Sequence, residues 1–554
     1  MSSTVLYAAL EKVMLNNPER TIDEYLSNGD IISISYRQLL EKVITLSDHL
    51  STYVQAQDII VFFTENSINF TIGLLAGLKL NAILAPVDSK MPSDQLQQCL
   101  ADLQPKYTLV SQKKRSELRA FKGIETFIDL VDFVNPATQL PRVNITDSQH
   151  INLPNKPSVI MHTSGTNNSP KGVMLSTKNI LFMTHNLCHF MPKKVIETVK
   201  VMWFFPNHHV SGFTINFFMI FLNGGRLGII NDMNPNLMRK FFSTFKPSLF
   251  PVVPKLLKVY AEMIKSNLEK STVKKAIFLV LSGLCSITEK ITFYKFNIRK
   301  YVFYPVHKKF GGRVKMIFSG GSALPVSLQK YFFKLGLPVV DGWGMTETGG
   351  CAISQTLVLN YNHLKRTPFR GLQTKLTEVN QDNIGLFWIK GPAVMMGYFN
   401  NPGATNEVLV DGWLKTGDLA KIVDGNITIM GRQQDVLVAL DGKKYFLNRL
   451  EEVYADIEGI KELAIIPYEI DEEIVAVAIL TPDFKINLKN LEAHSHSLTA
   501  AFKVRQVELE PSGRVKKIFI VEQLPMTSSL KIKKQLLLQY LKQESLSILK
   551  TITL

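Results

Sequence analysis

Apolar and polar positions along the first 110 residues switch repeatedly between a helical period and short continuous apolar runs. Tyr36 to Tyr53 carries apolar residues at helical spacing. Ile59 to Phe63 is an apolar run of strand length, Ile68 to Leu80 predicts a helix, and Ala82 to Pro86 a strand. Ser93 stands where it can cap a helix running through Leu103, and Tyr107 to Val110 is again strand-like. Strands alternating with helices predict an α/β fold, with helices on both faces of a parallel sheet. The alternation continues through residues 176 to 340, where Ile317–Ser319 and Pro338–Val340 read as strands. Residues 370 to 430 change character: strand patterns shorten and turns multiply, as in Gly385-Leu386-Phe387-Trp388-Ile389, which predicts a β-rich subdomain. Asp424-Gly425 between two apolar pairs is a hairpin signal. Gly431 to Gln434 reads as a linker. A last unit, residues 435 to 554, holds a second Asp-Gly turn at Asp441-Gly442, a helix pattern from Asn448 to Ile457, and strands at Leu463–Pro467 and Ile474–Leu480. The expected organisation is a large N-terminal domain over residues 1–430, a hinge at 431–434, and a small α+β C-terminal domain.

Two apolar stretches are long enough to need testing as membrane spans. Residues 210 to 230 are broken by Asn216, Asn223, Gly224, Gly225 and Arg226, and residues 276 to 286 are too short. A span needs ~20 mostly apolar residues, so both are expected to be buried core elements. Composition agrees with a globular chain: of 554 residues, 46% are hydrophobic and 20% charged. The net charge of +16 favours anionic partners, such as nucleotides, carboxylates or acidic lipid. The basic residues are scattered and form no long arm, so nucleic acid is not an expected partner. Cys99, Cys188, Cys285 and Cys351 lie far apart with no Cys-x-x-Cys spacing, which fits a reducing cytoplasm rather than a zinc site or disulfide framework. The N-terminus lacks the basic and apolar regions of a secretory signal. A cytoplasmic location is expected, with the positive charge allowing peripheral contact with an anionic inner membrane face.

The stretch with the most chemistry is Val159 to Met174. An apolar strand-like run opens into His162-Thr163-Ser164-Gly165-Thr166-Asn167-Asn168-Ser169, and Pro170-Lys171-Gly172 close the loop. Gly165 lets backbone N–H groups approach an anion, Thr163, Ser164 and Thr166 offer hydroxyls, and Lys171 adds positive charge, a combination suited to a polyphosphate. The loop is not a Walker motif, because Pro170 stands where that pattern needs glycine. Further on, Gly320-Gly321-Ser322-Ala323 ends a strand and would let a flat ligand lie against the backbone. In Gly342-Trp343-Gly344-Met345-Thr346-Glu347, the tryptophan can stack on a base, and the carboxylate can hold a magnesium ion that bridges phosphates. Taken singly, each segment also fits an ordinary turn.

Together they resemble the adenylate-forming superfamily of AMP-binding enzymes, over nearly the whole chain. Thr163 to Thr166 with Pro170-Lys171-Gly172 is similar to its phosphate loop, and Gly342 to Glu347 to its aromatic-Gly-x-Thr-Glu motif. Thr416-Gly417-Asp418 resembles its ribose-binding aspartate motif, and Gly431-Arg432 its hinge arginine motif. Within the superfamily, Lys309 to Lys315 leading into Ser319 to Leu324, Gly442-Lys443-Lys444, and Thr527-Ser528-Ser529-Leu530-Lys531 resemble long-chain fatty acyl-CoA synthetases. Phe205 to Gly212 matches the acyl-activating pattern and lacks the aspartate of amino-acid-activating relatives.

The resemblance implies a two-step reaction. A fatty acid carboxylate attacks ATP to give acyl-AMP and pyrophosphate, and the CoA thiol then takes the acyl group. It implies that Thr163, Ser164, Gly165, Thr166, Lys171 and Gly172 hold phosphates, with Thr166 and Glu347 at Mg2+. Gly321, Ser322, Trp343, Gly344 and Thr346 would frame adenine and its neighbours, Asp418 would accept ribose hydroxyls, and Arg432 would hold ribose or phosphate. His209 would sit near the reacting carboxylate. Lys531 would contact that carboxylate and the α-phosphate from a C-terminal domain that rotates between half-reactions. An acyl carrier protein is the alternative acceptor. Asn167 and Asn168 depart from the family's usual Thr and Gly, Gln434 from its pivot residue, and Leu447 with Arg449 from its Pro and Glu. These departures keep a non-catalytic binding homologue as a further alternative.

Overall fold

A computed structural model describes residues 6–111, 114, 127–129, 156–163, 170–189, 199–270, 272–291, 297–356, 364–439, 443–470, 473–482, 491–526 and 532–554. By packing, the chain forms two compact units, residues 1–373 with 390–414, and residues 374–389 with 415–554.

The first unit is built on two sheets. In the larger, nine strands run in the order Arg366–Pro368, Ile353–Gln355, Val339–Trp343, Met316–Gly320, Leu249–Val252, Lys200–Trp203, Arg226–Ile230, Thr21–Tyr25, Ile31–Ser35. The strands from Val339–Trp343 through Thr21–Tyr25 pair in parallel, and antiparallel neighbours close both edges. The second sheet has seven strands: Gly397–Tyr398, Gly172–Leu175, Val159–His162, Ile83–Pro86, Ile59–Phe63, Tyr107–Val110, Phe127–Asp129. Its central strands are almost wholly buried, which is why they read as nearly continuous apolar runs rather than alternating ones. The expected α/β class and helix-flanked parallel sheets are what the structure contains.

Local details differ from expectation in three places. The helix Ser93–Leu103 begins at Ser93 itself: Pro92 is the N-cap, with no side-chain capping bond. Proline fixes φ for the turn into the helix, so Ser93 is not needed as a cap. The strand expected at Pro338–Val340 continues to Trp343 and carries the tryptophan within the sheet. The third difference concerns the two apolar stretches. Ser211–Phe218, a wide helix with π-type turns that continues as Met219–Leu222, is buried along its length as expected. Phe213, Phe217, Phe218 and Phe221 all lie in the core, each contributing about 2–3 kcal/mol by burial. Residues 276–286 instead lie within a long helix, Thr272–Ile291, whose outward face is exposed.

The second unit begins with a strand-rich part, in which Ile384–Lys390 lies between Gln373–Thr377 and Trp413–Val423, and Asn426–Arg432 pairs with the last of these. The Asp424-Gly425 hairpin is present, both residues at positive φ. Arg432 ends a strand and Gln433–Asp435 form a 3-10 turn, so the stretch read as a linker is regular structure. The Asp441-Gly442 turn lies outside the described residues, although Val436–Val438 and Lys444–Phe446 pair on either side of it. A four-stranded sheet follows, Ile460–Ile470, Glu473–Pro482, Val515–Val521, Ile548–Thr553, with apolar cores on both faces.

Candidate functional site

The phosphate-type loop is held at its feet. Val159–His162 pairs antiparallel with Gly172–Leu175, with His162 opposite Gly172, and the Thr163 N–H donates to the Lys171 carbonyl at 3.0 Å. The loop therefore leaves the second sheet from a closed hairpin base. Ser164, Gly165 and Thr166 lie outside the described residues, as do Asn167 and Asn168. Beneath the loop, Cys99 Sγ is 3.4 Å from His162 Nε2. Burial lowers the His162 pKa to about 4 and raises that of Cys99 to about 12, so both are neutral at physiological pH.

Lys171 and Glu347 are drawn together by a residue that sequence reading did not single out. Lys171 Nζ lies over the Tyr398 ring, 5.1 Å from its centroid, and the Tyr398 hydroxyl donates to Glu347 Oε1 at 2.9 Å. The backbone fixes the same arrangement. The Phe399 N–H donates to the Gly172 carbonyl at 2.7 Å, and the Met395 N–H to the Glu347 carbonyl at 2.8 Å. Thus the segment 395–399 staples the loop base to the short 3-10 helix Thr346–Thr348 that carries Glu347. Nothing in the composition around Tyr398 marks it out; only the pairing of Gly397–Tyr398 with the loop's second strand gives it this position.

The adenine-type segments lie at the carboxyl ends of adjacent parallel strands, where such sheets offer a crevice. Gly320 is opposite Gly342 in register, so the turn at Gly321-Ser322, exposed at the surface, neighbours the strand end bearing Trp343, itself half-buried. Gly344 is required: a side chain there would overlap the Gly350 carbonyl. His209 belongs to the same neighbourhood. It ends the turn that starts the Ser211–Phe218 helix, with its N–H donating to the Pro206 carbonyl at 3.0 Å. One turn later, the Thr214 hydroxyl reaches both the Val210 carbonyl, at 2.7 Å, and the Gly349 carbonyl, at 2.9 Å, two residues after Glu347. His208 packs against Asp88 at 3.5 Å, yet burial holds it below the ordinary histidine range. Beside the buried helix, Leu187, Ile215, Met219, Met316, Phe318 and Val340 line a small apolar cavity of about 10 Å³, room for about one water molecule.

In the second unit, Asp418 and Arg432 face each other across neighbouring strands. Arg432 Nε is 2.9 Å from Asp418 Oδ1, and Arg432 also donates to the Thr416 carbonyl at 3.0 Å. The Thr416 hydroxyl accepts from the Asp418 N–H at 3.1 Å and donates to the Phe387 carbonyl at 2.7 Å. Asp418 is buried, while the Arg432 side chain is 44% exposed. The two residues expected at ribose and phosphate therefore hold one another. Gln434 is exposed on the turn beyond. Lys531 lies outside the described residues.

The carboxylate present suits a magnesium ion bound through phosphates, since such an ion needs only one or two protein ligands. Among the described residues no three His, Cys, Asp or Glu side chains cluster as a protein-built metal site would need, and Glu347 is a carboxylate that could serve as such a single ligand.

Residues 10–399 match the family described as AMP-binding enzyme. The chain belongs to that family, within the adenylate-forming superfamily. Among curated proteins it is similar to long-chain-fatty-acid–CoA ligase 3 of Saccharomyces cerevisiae, 26% identical over 351 residues that make up 58% of this chain and 48% of that one. It is also similar to long-chain-fatty-acid–CoA ligase 5 of Mus musculus, 25% identical over 498 residues, 81% of this chain and 71% of that one. The alignment thus spans about half the length of the yeast relative. Among solved structures, the fold matches that of ATP-bound MatB from Rhodopseudomonas palustris with a TM-score of 0.75 at 20% identity, over 98% of this chain and 99% of that one.

Proposed function

We propose that this chain activates a fatty acid, of the long-chain class, with ATP to form acyl-AMP and pyrophosphate, and then transfers the acyl group to the thiol of CoA with release of AMP. The observation that carries this reading is the buried linkage of Lys171, Tyr398 and Glu347. It gathers a cation and a carboxylate beside a loop of phosphate-binding composition. The first step brings a carboxylate against a polyphosphate, so like charges must be neutralised before oxygen can attack phosphorus. Lys171 and the loop N–H groups would take the outer phosphates. Glu347 would hold Mg2+, which supplies further neutralisation when bound. Asp418 would accept ribose hydroxyls, and Arg432 would keep that carboxylate oriented. His209 would lie by the reacting carboxylate, and Lys531 would bring a point charge to the α-phosphate and carboxylate.

The long-chain class is supported by the two ligases named above, and an acyl rather than an aminoacyl substrate by the absence of an aspartate in Phe205 to Gly212 that would hold an amino group. A panel of carboxylic acids tests the reading. Pyrophosphate exchange that needs both a long-chain acid and magnesium, followed by an acyl-CoA product on adding CoA, is the expected result. Acyl transfer to a phosphopantetheinylated carrier protein but not to CoA would replace the acceptor. A second reading, a binding homologue without catalysis, draws on Asn167 and Asn168 in the phosphate loop. Calorimetry showing no ATP binding at millimolar concentration would favour it.

A further inference from the structure

The helix Thr272–Ile291 presents apolar residues on two opposite faces. Its inner face is clamped: Phe278 and Leu281 pack against the core around buried Cys285. Arg299, itself buried, donates to the Ser282 hydroxyl at 3.3 Å, the Ser286 hydroxyl at 2.8 Å and the Lys334 carbonyl at 3.0 Å. With Phe278, Leu281 and Cys285 packed inward and Ser282 and Ser286 tied to Arg299, the helix cannot roll its other face into the core. That other face is a continuous stripe of Val273, Ile277, Val280, Leu284 and Ile287, spaced by alternating fours and threes, with Leu279 beside it. Every one of these residues is more than half exposed. On the preceding helix, Pro254–Glu269, Val259 and Met263 are also exposed. Two aromatic residues with polar tips, Tyr301 and Tyr304, stand exposed just after the Arg299 clamp.

A stripe of this extent on a water-facing helix needs an occupant. Charge selects which one. Residues 255–309 contain twelve lysines and arginines against three glutamates, more than half of the net +16 of the whole chain within a tenth of its length. Two copies meeting through this face would bring like charge against like, although the four-three spacing alone would suit a second helix. An apolar face on a strongly basic stretch of chain, with tyrosines close by in sequence, fits the boundary between acyl chains and acidic headgroups. The helix is about 30 Å long, and no helix among the described residues is long and apolar enough to cross a membrane. It would therefore lie in the plane of the surface.

We propose that the outward face of Thr272–Ile291, with the basic segment around it, docks this protein on a bilayer of anionic phospholipid. Docking there would bring the chain to the phase in which a long-chain acid, the substrate class proposed above, resides. The test is flotation of the full chain with vesicles of mixed phosphatidylglycerol and phosphatidylcholine, compared with phosphatidylcholine alone. The expected result is binding to the anionic vesicles that weakens at least ~10-fold without the anionic lipid or at high salt. The double variant Val280→Glu/Leu284→Glu should lose at least ~10-fold in partitioning with an unchanged melting temperature. The charge-neutral pair Leu279→Ser/Leu284→Ser should weaken binding while keeping its salt dependence. Flotation of the double variant equal to that of the parent, or no flotation of the parent on anionic vesicles, would overturn the proposal. So would a parent dimer that the double variant converts to a monomer while neither binds lipid. Flotation needs no turnover, so its failure leaves the ligase reading untouched.

Discussion

The groups assigned to the nucleotide are held in two different ways in the two units. In the first unit, Lys171, Tyr398 and Glu347 are tied by main-chain bonds from 395–399 as well as by their side chains. Their positions follow from sheet register, and losing one side chain would leave the others in place. In the second unit, Asp418 and Arg432 hold each other, one buried and the other nearly half in water. Removing Arg432 would take an ion-pair partner from a buried carboxylate, whereas removing Asp418 would leave a guanidinium already nearly half in water. The first arrangement is fixed by the backbone; in the second, only one of the two charges is sequestered.

That contrast can be tested by removing groups one at a time. The largest effect is expected for Glu347→Gln, which keeps the Tyr398 hydrogen bond but removes the charge. Acid-dependent pyrophosphate exchange should fall on the order of 10²–10³-fold with little change in melting temperature; unaltered exchange would remove Glu347 from the site. Next is the pH dependence of stability. His162 has a folded pKa of about 4, below its unfolded value near 6.5. The stability it permits is therefore complete above pH ~6.5 and falls as pH drops toward 4, by on the order of 3 kcal/mol. In His162→Gln that part of the acid-side slope should vanish in urea titrations at stepped pH. A slope equal to the parent's would mean the imidazole is not buried neutral. Arg432→Ala should destabilise the second unit by about 1–2 kcal/mol, less than for a fully buried pair because the guanidinium is half in water. It should also raise the KM for ATP. The smallest effect is expected for Tyr398→Phe, about 1 kcal/mol or a few-fold in activity. A larger loss than from Arg432→Ala would reverse the ranking of the two regions.

Much of the frame was legible from hydropathy alone. Ile59–Phe63 and Tyr107–Val110 are strands with the bounds expected, because a strand buried on both faces leaves a nearly continuous apolar run between polar turns. The candidate site was legible only as short motifs, which specify local composition and not which motif meets which. Tyr398 had no signal, since its role depends on a strand pairing between residues more than 200 positions apart. The Asp418–Arg432 pairing was equally hidden, because each residue had been read against the ligand and not against the other. Residues 276–286 misled for another reason: hydropathy reports that a residue avoids water, without saying whether its own fold or something outside supplies the shelter. Cys285 and Leu284 are neighbours in the chain, one buried in the core and the other facing outward.

The bond from the Thr163 N–H to the Lys171 carbonyl has a consequence for how this protein can diverge. The ends of the glycine- and hydroxyl-rich segment are joined before any ligand arrives, so the entropy of ring closure is already offset by folding. Because that joint lies between two backbone groups, most side-chain substitutions leave it in place, whereas proline at 163, which removes the donor N–H, would break it.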